Sequence, residues 1–458
     1  MKIVILGAGQ IGLTLANYFV EDGHEITIVD NDSEHLRNIS NELDIKPVFG
    51  NASHPQTLQE AGADTADVLI ALTASDEVNM VSCEVANSLF NVETKIARVR
   101  SEAYLDPYWS ELFSPHHLAI DVVITPELEI ASSIERGISI PGSFDVVPFI
   151  HDDVQIIGIK VKEKSDVFNS KIDQISAVIN GKELNVLSMY RDGVGFFPSK
   201  NDCLHAKDEV YISCYQKDIE EIMESFGYVG FSSRTLLIIG SGNVGLFLAK
   251  KIEANHKNIE VKLIERDKKQ AEKAAKYIKS ADVICGDALD KNILIEAGAS
   301  FAQTCISVTS DDKSNVLSAL LAKKLGVSNV VSLMNDMTYS DLVSSLGVDR
   351  IITPKSVTIS NILRHIRSGQ LNGIYSLKNG FSEVVEAGID DKSPLIGIKL
   401  SSIEISDFIR VAFVIRDKKS ILDINEMSVS SGDRIVLIIK HGSIERVEKL
   451  FSSKMFYG

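Results

Sequence analysis

Two short stretches carry residues able to hold a phosphate ester. Residues 3–12 read IVILGAGQIG and residues 236–245 read LLIIGSGNVG. In each, an apolar run feeds a GxGxxG turn, made of Gly7, Gly9 and Gly12 in the first and Gly240, Gly242 and Gly245 in the second. The first glycine permits a tight turn, the second lets backbone approach a pyrophosphate, and the third lets the next helix pack close to its strand. Phosphate then rests on the free N–H groups and positive dipole end of that helix. An acid closes the next apolar run in both cases: Asp30, 18 residues beyond Gly12, and Glu265, 20 residues beyond Gly245. A carboxylate there accepts both ribose hydroxyls of adenosine and repels a 2′-phosphate, so the pattern favours NAD over NADP.

Further polar residues gather on the first copy. LTASDEVN follows a buried run and puts Thr73 and Ala74 at the carboxyl edge of a sheet, where ligands bind. KIARVR places Arg98 and Arg100 on one strand face by their period-two spacing, where guanidinium groups neutralise a diphosphate. The second copy keeps Thr309 and Ser310 but reads VVSLMND where the first has its arginines. The two sites are therefore expected to differ.

The elements that must position these residues recur along the chain. EITIVDND is answered by EVKLIERD, and VFGNASHPQTLQEAGADTADVLIALTASDEVN by VICGDALDKNILIEAGASFAQTCISVTSDDKSN. The offset is 233 at Gly7/Gly240 and 236 at Thr73/Thr309, falling to 228 at the matching exits DVVITPE and DRIITPK. Register held over that length marks a tandem duplication. Short Val/Ile/Leu runs alternating with amphipathic helical stretches predict βαβ units and a parallel sheet buried on both faces. After Ile124 and Ile352 the texture changes: a helical segment, PELEIASSIERGI or PKSVTISNILRHI, leads to shorter β-rich stretches. Those stretches also pair, IIGIKVKE with LIGIKLSS, LSMYRDG with AFVIRDK and LHAKDEVYISC with VSSGDRIVLII, with Asp208 and Asp433 suited to the turn before a terminal strand. The fold class is thus α/β, with two tandem Rossmann-like doubly wound parallel sheets, each followed by a small α+β module. A linker is expected at 227–234, where Gly and Ser cluster.

Composition narrows the function. Asp and Glu outnumber Lys and Arg by 63 to 47, giving a formal charge of −16 that repels nucleic acid and anionic lipid headgroups. No run approaches the roughly 18 apolar residues of a membrane span, and the apolar start ends in a glycine turn rather than a cleavage site. A soluble, cytoplasmic protein is expected, without direct lipid insertion. Five scattered cysteines with no CxxC pair fit reduced, buried thiols rather than disulfides or a metal site. Rossmann folds often serve dehydrogenases, but hydride transfer needs an acid or base beside the nicotinamide. No YxxxK pair occurs and the ten histidines are scattered. A ligand-operated switch is the reading favoured here, with a soluble NAD-dependent dehydrogenase as the alternative.

The whole pattern resembles the TrkA family of paired RCK domains. The match rests on GAGQIG, HPQTLQEAGADTADVLIALTASDEVNMVSCEVANSLFN, KIARVR and LIERD, and it spans almost the entire chain. The resemblance implies RCK N-terminal (TrkA-N) domains at 1–125 and 233–352 and RCK C-terminal (TrkA-C) domains at 143–227 and 370–453. It implies a non-enzymatic regulatory subunit that binds NAD+ or NADH, with ATP or ADP as further ligands. Such a subunit forms a homo-oligomeric ring on the inner face of the cell membrane, docked on a potassium-translocating Trk-type partner. Carried over by motif, the nucleotide contacts are Gly7, Ala8, Gly9, Gln10, Ile11, Gly12, Asp30, Thr73, Ala74 and Arg98. In the second copy they are Gly240, Ser241, Gly242, Asn243, Val244, Gly245, Glu265 and Thr309.

Overall fold

The structure is a computed structural model that describes residues 1–41, 43–140, 142–148, 153–228, 235–366, 371–377, 381–403 and 408–451. The expected linker at 227–234 lies outside the described residues from 229 onward. The chain divides into two compact units, Met1–Glu129 with Lys355–Arg367, and Ile130–Pro354 with Ser368–Gly458. No helix among the described residues is long and apolar enough to cross a membrane.

In the first unit, six parallel strands form one sheet: β1 (Lys2–Leu6), β2 (Glu25–Asp30), β3 (Lys46–Phe49), β4 (Val68–Ala71), β5 (Thr94–Arg98) and β6 (Val122–Ile124). Their order is β3-β2-β1-β4-β5-β6. The order reverses between β1 and β4, which opens a crevice at the carboxyl ends of the strands. β1 and β4 are almost wholly buried, as their unbroken aliphatic runs demand of strands covered on both faces. One cover includes the helix Gln10–Glu21, through Leu15, Ala16 and Phe19. It also includes a helix from far along the chain: Ile359, Ile362, Leu363 and Ile366 of Pro354–Ile366 join the same core as Ile3, Ile5 and Ile28.

The second unit opens with five antiparallel strands, β7 (Ser143–Val146), β8 (Val154–Lys160), β9 (Leu184–Arg191), β10 (Val194–Phe196) and β11 (Glu209–Tyr215), ordered β10-β9-β11-β8-β7. It continues with β12 (Thr235–Ile239), β13 (Glu260–Glu265), β14 (Asp282–Cys285), β15 (Thr304–Ser307), β16 (Asn329–Leu333) and β17 (Arg350–Ile352). These repeat the parallel order as β14-β13-β12-β15-β16-β17. The helix Pro126–Ser139, which follows the first sheet in sequence, packs here through its later turns. Its Glu135 accepts a hydrogen bond from Asn255 at 2.7 Å, and its Ser133 hydroxyl accepts one from Arg350 at 3.0 Å. Each parallel sheet thus receives the helix that follows the other.

The last sheet, β18 (Leu371–Ser376), β19 (Ser382–Gly388), β20 (Ile409–Arg416), β21 (Lys419–Ile421) and β22 (Arg434–Lys440), runs β18-β19-β22-β20-β21. The two antiparallel modules share one core, with Val154, Leu187, Tyr190 and Tyr211 of the first against Val384, Ala412, Phe413 and Val436 of the second. Hydrogen bonds cross it: Asn185 donates to the carbonyls of Ala412 and Leu422 at 3.1 and 3.0 Å. Tyr211 and Tyr375 both donate to Asp145 at 2.9 Å. A module near the lower size limit for an independent core gains its missing apolar cover from its copy.

The aspartates expected at turns do more than turn the chain. Asp208 accepts a two-pronged hydrogen bond from Arg191 at 2.8 and 2.7 Å, and Asp433 one from Arg416 at 2.7 and 2.7 Å. Both carboxylates are 1% exposed, and each also accepts a backbone N–H, from His205 or Ser430. The carboxylates raise the pKa of both arginines. Removing the arginine strands a buried carboxylate. Arg191→Ala and Arg416→Ala are each expected to lose about 3 kcal/mol in urea unfolding; a loss below about 1 kcal/mol would show that these pairs are replaceable by water.

Candidate functional site

The first glycine turn leaves β1 at Gly7, whose φ of +107° suits glycine and whose N–H donates to Val29 at 2.8 Å. Gly9 then caps the helix Gln10–Glu21 with extended backbone. No side chain accepts from the helix's first N–H groups, and no acid lies in its first turn. The three glycines fill distinct steric roles. A methyl group on Gly12 would lie 2.0 Å from the Gly7 carbonyl oxygen, whereas one on Gly9 would meet nothing within 4 Å. Gly12 brings backbone onto backbone, and Gly9 leaves an open cradle beside uncapped N–H groups. That is the donor set and the space that a diphosphate requires. Gln10 and Ile11 occupy the first helical turn beside it.

Asp30 ends β2 directly across from this turn. Its Oδ2 accepts the Ala8 N–H at 2.6 Å and its Oδ1 accepts the Asp32 N–H at 3.0 Å. The carboxylate thus fixes the turn while staying partly exposed for further acceptance. His35, in the helix Ser33–Ser40, brings Nε2 within 2.8 Å of the Ala8 carbonyl oxygen. Sequence reading did not single out that histidine.

At the exits of β4 and β5 several polar groups bond to one another. The Thr73 N–H and hydroxyl both donate to Asn79 Oδ1, at 2.8 and 2.7 Å, so this threonine is held by an internal partner. Asn79 is fully buried, and its Nδ2 donates to the carbonyls of Thr73 and Arg98 at 3.3 and 2.9 Å. One amide staples the two strand ends together. β5 ends at Arg98, and Arg100 follows two residues beyond. Its guanidinium donates to the Ala74 carbonyl and lies 3.5 Å from Asp76. Arg98 differs: its Nε is buried with no hydrogen-bond partner, and among the described residues no carboxylate lies within ion-pair distance of it. Burial, with Arg100 adding to it, holds the Arg98 pKa below that of a free guanidinium, against the pull of Glu127 and Asp76. A half-buried guanidinium without a hydrogen-bonded carboxylate keeps donors that an anion can use.

The second copy repeats the frame with other chemistry. Gly240 has φ +103°, Gly242 caps the helix Asn243–Asn255 with no side-chain acceptor, and a methyl group on Gly245 would lie 2.0 Å from the Gly240 oxygen. Glu265 Oε2 accepts both the N–H and the hydroxyl of Ser241, at 2.8 and 2.7 Å, and Oε1 accepts Asp267 N–H at 2.9 Å. Burial pushes its pKa upward, but these hydrogen bonds outweigh it and hold the carboxyl below its usual range. Thr309 is tied to Asn315 as Thr73 is to Asn79, at 2.8 and 2.7 Å. Asn315 Nδ2 donates to the carbonyl of Leu333 at 3.0 Å, which puts leucine where the first copy has Arg98. Val244 packs into the core, and Asn243 opens the helix.

The staple asparagines were legible as a repeat: Asn79 and Asn315 each stand six residues after the matched threonine. Asp76 and Asp312 are a second such pair, accepting from Arg100 and Ser101 N–H and from Asn335 and Asp336 N–H, respectively.

Comparison with known proteins gives the same frame. A TrkA-N domain model matches residues 3–126 and 236–354, and a TrkA-C domain model matches residues 384–452. The Trk system potassium uptake protein TrkA of Azorhizobium caulinodans is 35% identical over 451 residues, covering 98% of both chains. That of Vibrio alginolyticus is 33% identical over 461 residues, covering 100% of both. Among solved structures, the GsuK RCK domain superposes with a TM-score of 0.60 at 19% identity, over 99% of this chain and 95% of that one. The GsuK channel bound to NAD superposes with a TM-score of 0.61 at 18% identity, over 99% and 79%. The structural likenesses establish the shared fold.

The glycine geometry separates folding from binding. Gly9→Ala is expected to melt like the unmodified protein, while Gly12→Ala loses about 3 kcal/mol or more because backbone must move. Equal stability of the two variants in thermal melts would contradict the turn geometry described.

Proposed function

The chain belongs to the TrkA family, and from that premise we propose that it is the cytoplasmic nucleotide-sensing subunit of a Trk-type potassium uptake system. It binds NAD+ or NADH, with ATP or ADP as competing ligands, and its occupancy gates a potassium-translocating membrane partner. The observation that carries this reading is Arg98, a desolvated guanidinium with a buried Nε that no protein group satisfies, at the carboxyl edge of the sheet that carries the open Gly9 cradle. Gly7, Ala8, Gly9, Gln10, Ile11 and Gly12 offer backbone to the diphosphate, Arg98 neutralises it, and Asp30 takes the ribose hydroxyls. Thr73 and Ala74 hold the far wall through Asn79 and Arg100. A channel of the same fold holds NAD, which supports the ligand class.

The second site, Gly240, Ser241, Gly242, Asn243, Val244 and Gly245 with Glu265 and Thr309, has the adenosine-reading parts but an apolar Leu333 in place of the arginine. It is the weaker of the two for any phosphate-bearing ligand. Around the first turn, Thr73 and Arg100 are committed to structural partners, which favours a switch over a dehydrogenase. A nucleotide moves such a switch only through unequal affinity for its two states. The subunit works as a homo-oligomeric ring docked on the inner face of the membrane through its partner.

Calorimetry tests the site. Arg98→Gln and Asp30→Ala are each expected to weaken NADH binding by about 1.5–3 kcal/mol, the range of charge-assisted hydrogen bonds; unchanged affinity removes the residue from the site. Affinity capture from membranes, with and without NADH, tests the partner. Recovery of a potassium transporter supports the regulator, and steady-state NADH oxidation with a carbonyl substrate by the purified protein would favour the dehydrogenase.

A further inference from the structure

The second copy carries a charge pattern that neither its core nor its glycine turn uses. Between residues 268 and 279 stand five lysines, Lys268, Lys269, Lys273, Lys276 and Lys279, against one glutamate, Glu272, in a chain of formal charge −16. The helix Lys268–Tyr277 packs on its sheet through Ala271 and Ala274. At about 100° per residue, Lys268, Lys269, Lys273 and Lys276 fall within about 140° of its circumference, away from those alanines. All five lysines are exposed. Among the described residues none of them lies within ion-pair distance of a carboxylate. The neighbouring acid Asp267 is committed to the helix cap, where it accepts the Gln270 N–H at 2.9 Å. Lys250 of the preceding helix Asn243–Asn255 extends the patch, its Nζ lying 3.3 Å from the Tyr277 ring centroid. The matching helix of the first copy, Ser33–Ser40, has one arginine, one glutamate and no lysine. Duplication of the fold therefore does not account for the lysines.

We propose that this face of the second copy lies against anionic lipid headgroups, as an electrostatic contact without insertion. Anionic bilayers attract clusters of basic side chains on one helix face, each adding about fivefold in affinity near the surface. Lysine suits that role because its ammonium is a hydrated point charge on a flexible stem, able to follow mobile phosphates. A protein partner fits the face less well, since protein interfaces are depleted in lysine and centre on aromatic or arginine anchors. No large apolar side chain is exposed on this helix, so nothing is offered for insertion. The acidic remainder of the chain opposes approach at long range, but its field is screened over about 10 Å at about 0.1 M salt. The patch then acts once a membrane partner holds the chain at the bilayer, and it selects the face turned toward lipid. This inference rests on the membrane docking proposed above.

The test is sedimentation of the full-length protein with vesicles at about 0.1 M salt. One set is phosphatidylcholine alone, and the other is two parts phosphatidylcholine to one part phosphatidylglycerol. The unmodified protein is expected to partition onto the anionic set about tenfold more strongly, and to lose that preference at about 0.5 M salt. The quadruple variant Lys268→Gln, Lys269→Gln, Lys273→Gln, Lys276→Gln is expected to lose most of the preference. Arginine at the same four positions keeps the charge and is expected to keep the preference within about twofold. A control variant, Lys164→Gln, Lys200→Gln, Lys291→Gln, Lys392→Gln, removes equal charge from exposed lysines elsewhere and is expected to stay within about twofold. Equal partition of the unmodified protein onto both sets, or an equal loss in the two glutamine variants, overturns the proposal. So does a changed oligomeric mass in the first variant with vesicle binding intact, which would assign the face to a second copy of the chain. If no transporter is captured from membranes, the membrane reading itself fails. If one is captured and the vesicles show no preference, only the role of this helix does.

Discussion

A single contact organises each half of this molecule: a strand-end carboxylate accepts the backbone N–H of the residue inside the glycine turn. Asp30 does this for Ala8 at 2.6 Å and Glu265 for Ser241 at 2.8 Å. The turn cannot be held by side chains of its own, since its first and third glycines are required for backbone reasons. Without the acid, the first turn would keep the Gly7 N–H bond to Val29 and the His35 contact with the Ala8 carbonyl, and the second the Gly240 N–H bond to Ile264. With it, the open cradle at Gly9 or Gly242 and the uncapped helix start stand at a fixed distance from an anionic acceptor. The groups proposed to read ribose and phosphate are therefore joined by a hydrogen bond and preorganised before any ligand arrives.

On that shared frame the two copies have diverged in electrostatics rather than in shape. The asparagine staple, the aspartate beneath the following strand and the steric roles of the glycines recur nearly atom for atom. What changes is the side chain at the end of the fifth strand: Arg98 in the first, Leu333 in the second. Glu265 carries three hydrogen bonds from the protein where Asp30 carries two, so its oxygens have less capacity left for a ligand. A duplicated fold with unequal pockets allows one site to sense while the other chiefly supports the assembly.

Much of this was readable from residues alone. Unbroken aliphatic runs dictated buried parallel strands, and GxGxxG followed by an acid fixed the turn geometry. The repeat told which residues should behave alike. Three features were not legible, each for a physical reason. The exchange of helices between the copies depends on which apolar faces meet in space, and Ile359, Leu363 and Ile366 show the same helical period whichever sheet they cover. The ties of Arg100 to Ala74 and Asp76 form past the end of β5, a boundary that period-two reasoning does not locate. The Arg191–Asp208 and Arg416–Asp433 pairs were visible as matched letters, but their partnership spans 17 residues and two strands, beyond any local pattern.

The account stands on the claim that the first crevice seats the diphosphate of an adenine dinucleotide between the Gly9 cradle and Arg98. A crystal structure of the protein grown with saturating NADH decides it. Density for the dinucleotide should place the pyrophosphate on the helix start at Gly9 and Gln10 and against the Arg98 guanidinium, with the adenosine ribose on Asp30. An empty first crevice under those conditions, or a dinucleotide seated elsewhere with Arg98 untouched, would contradict it.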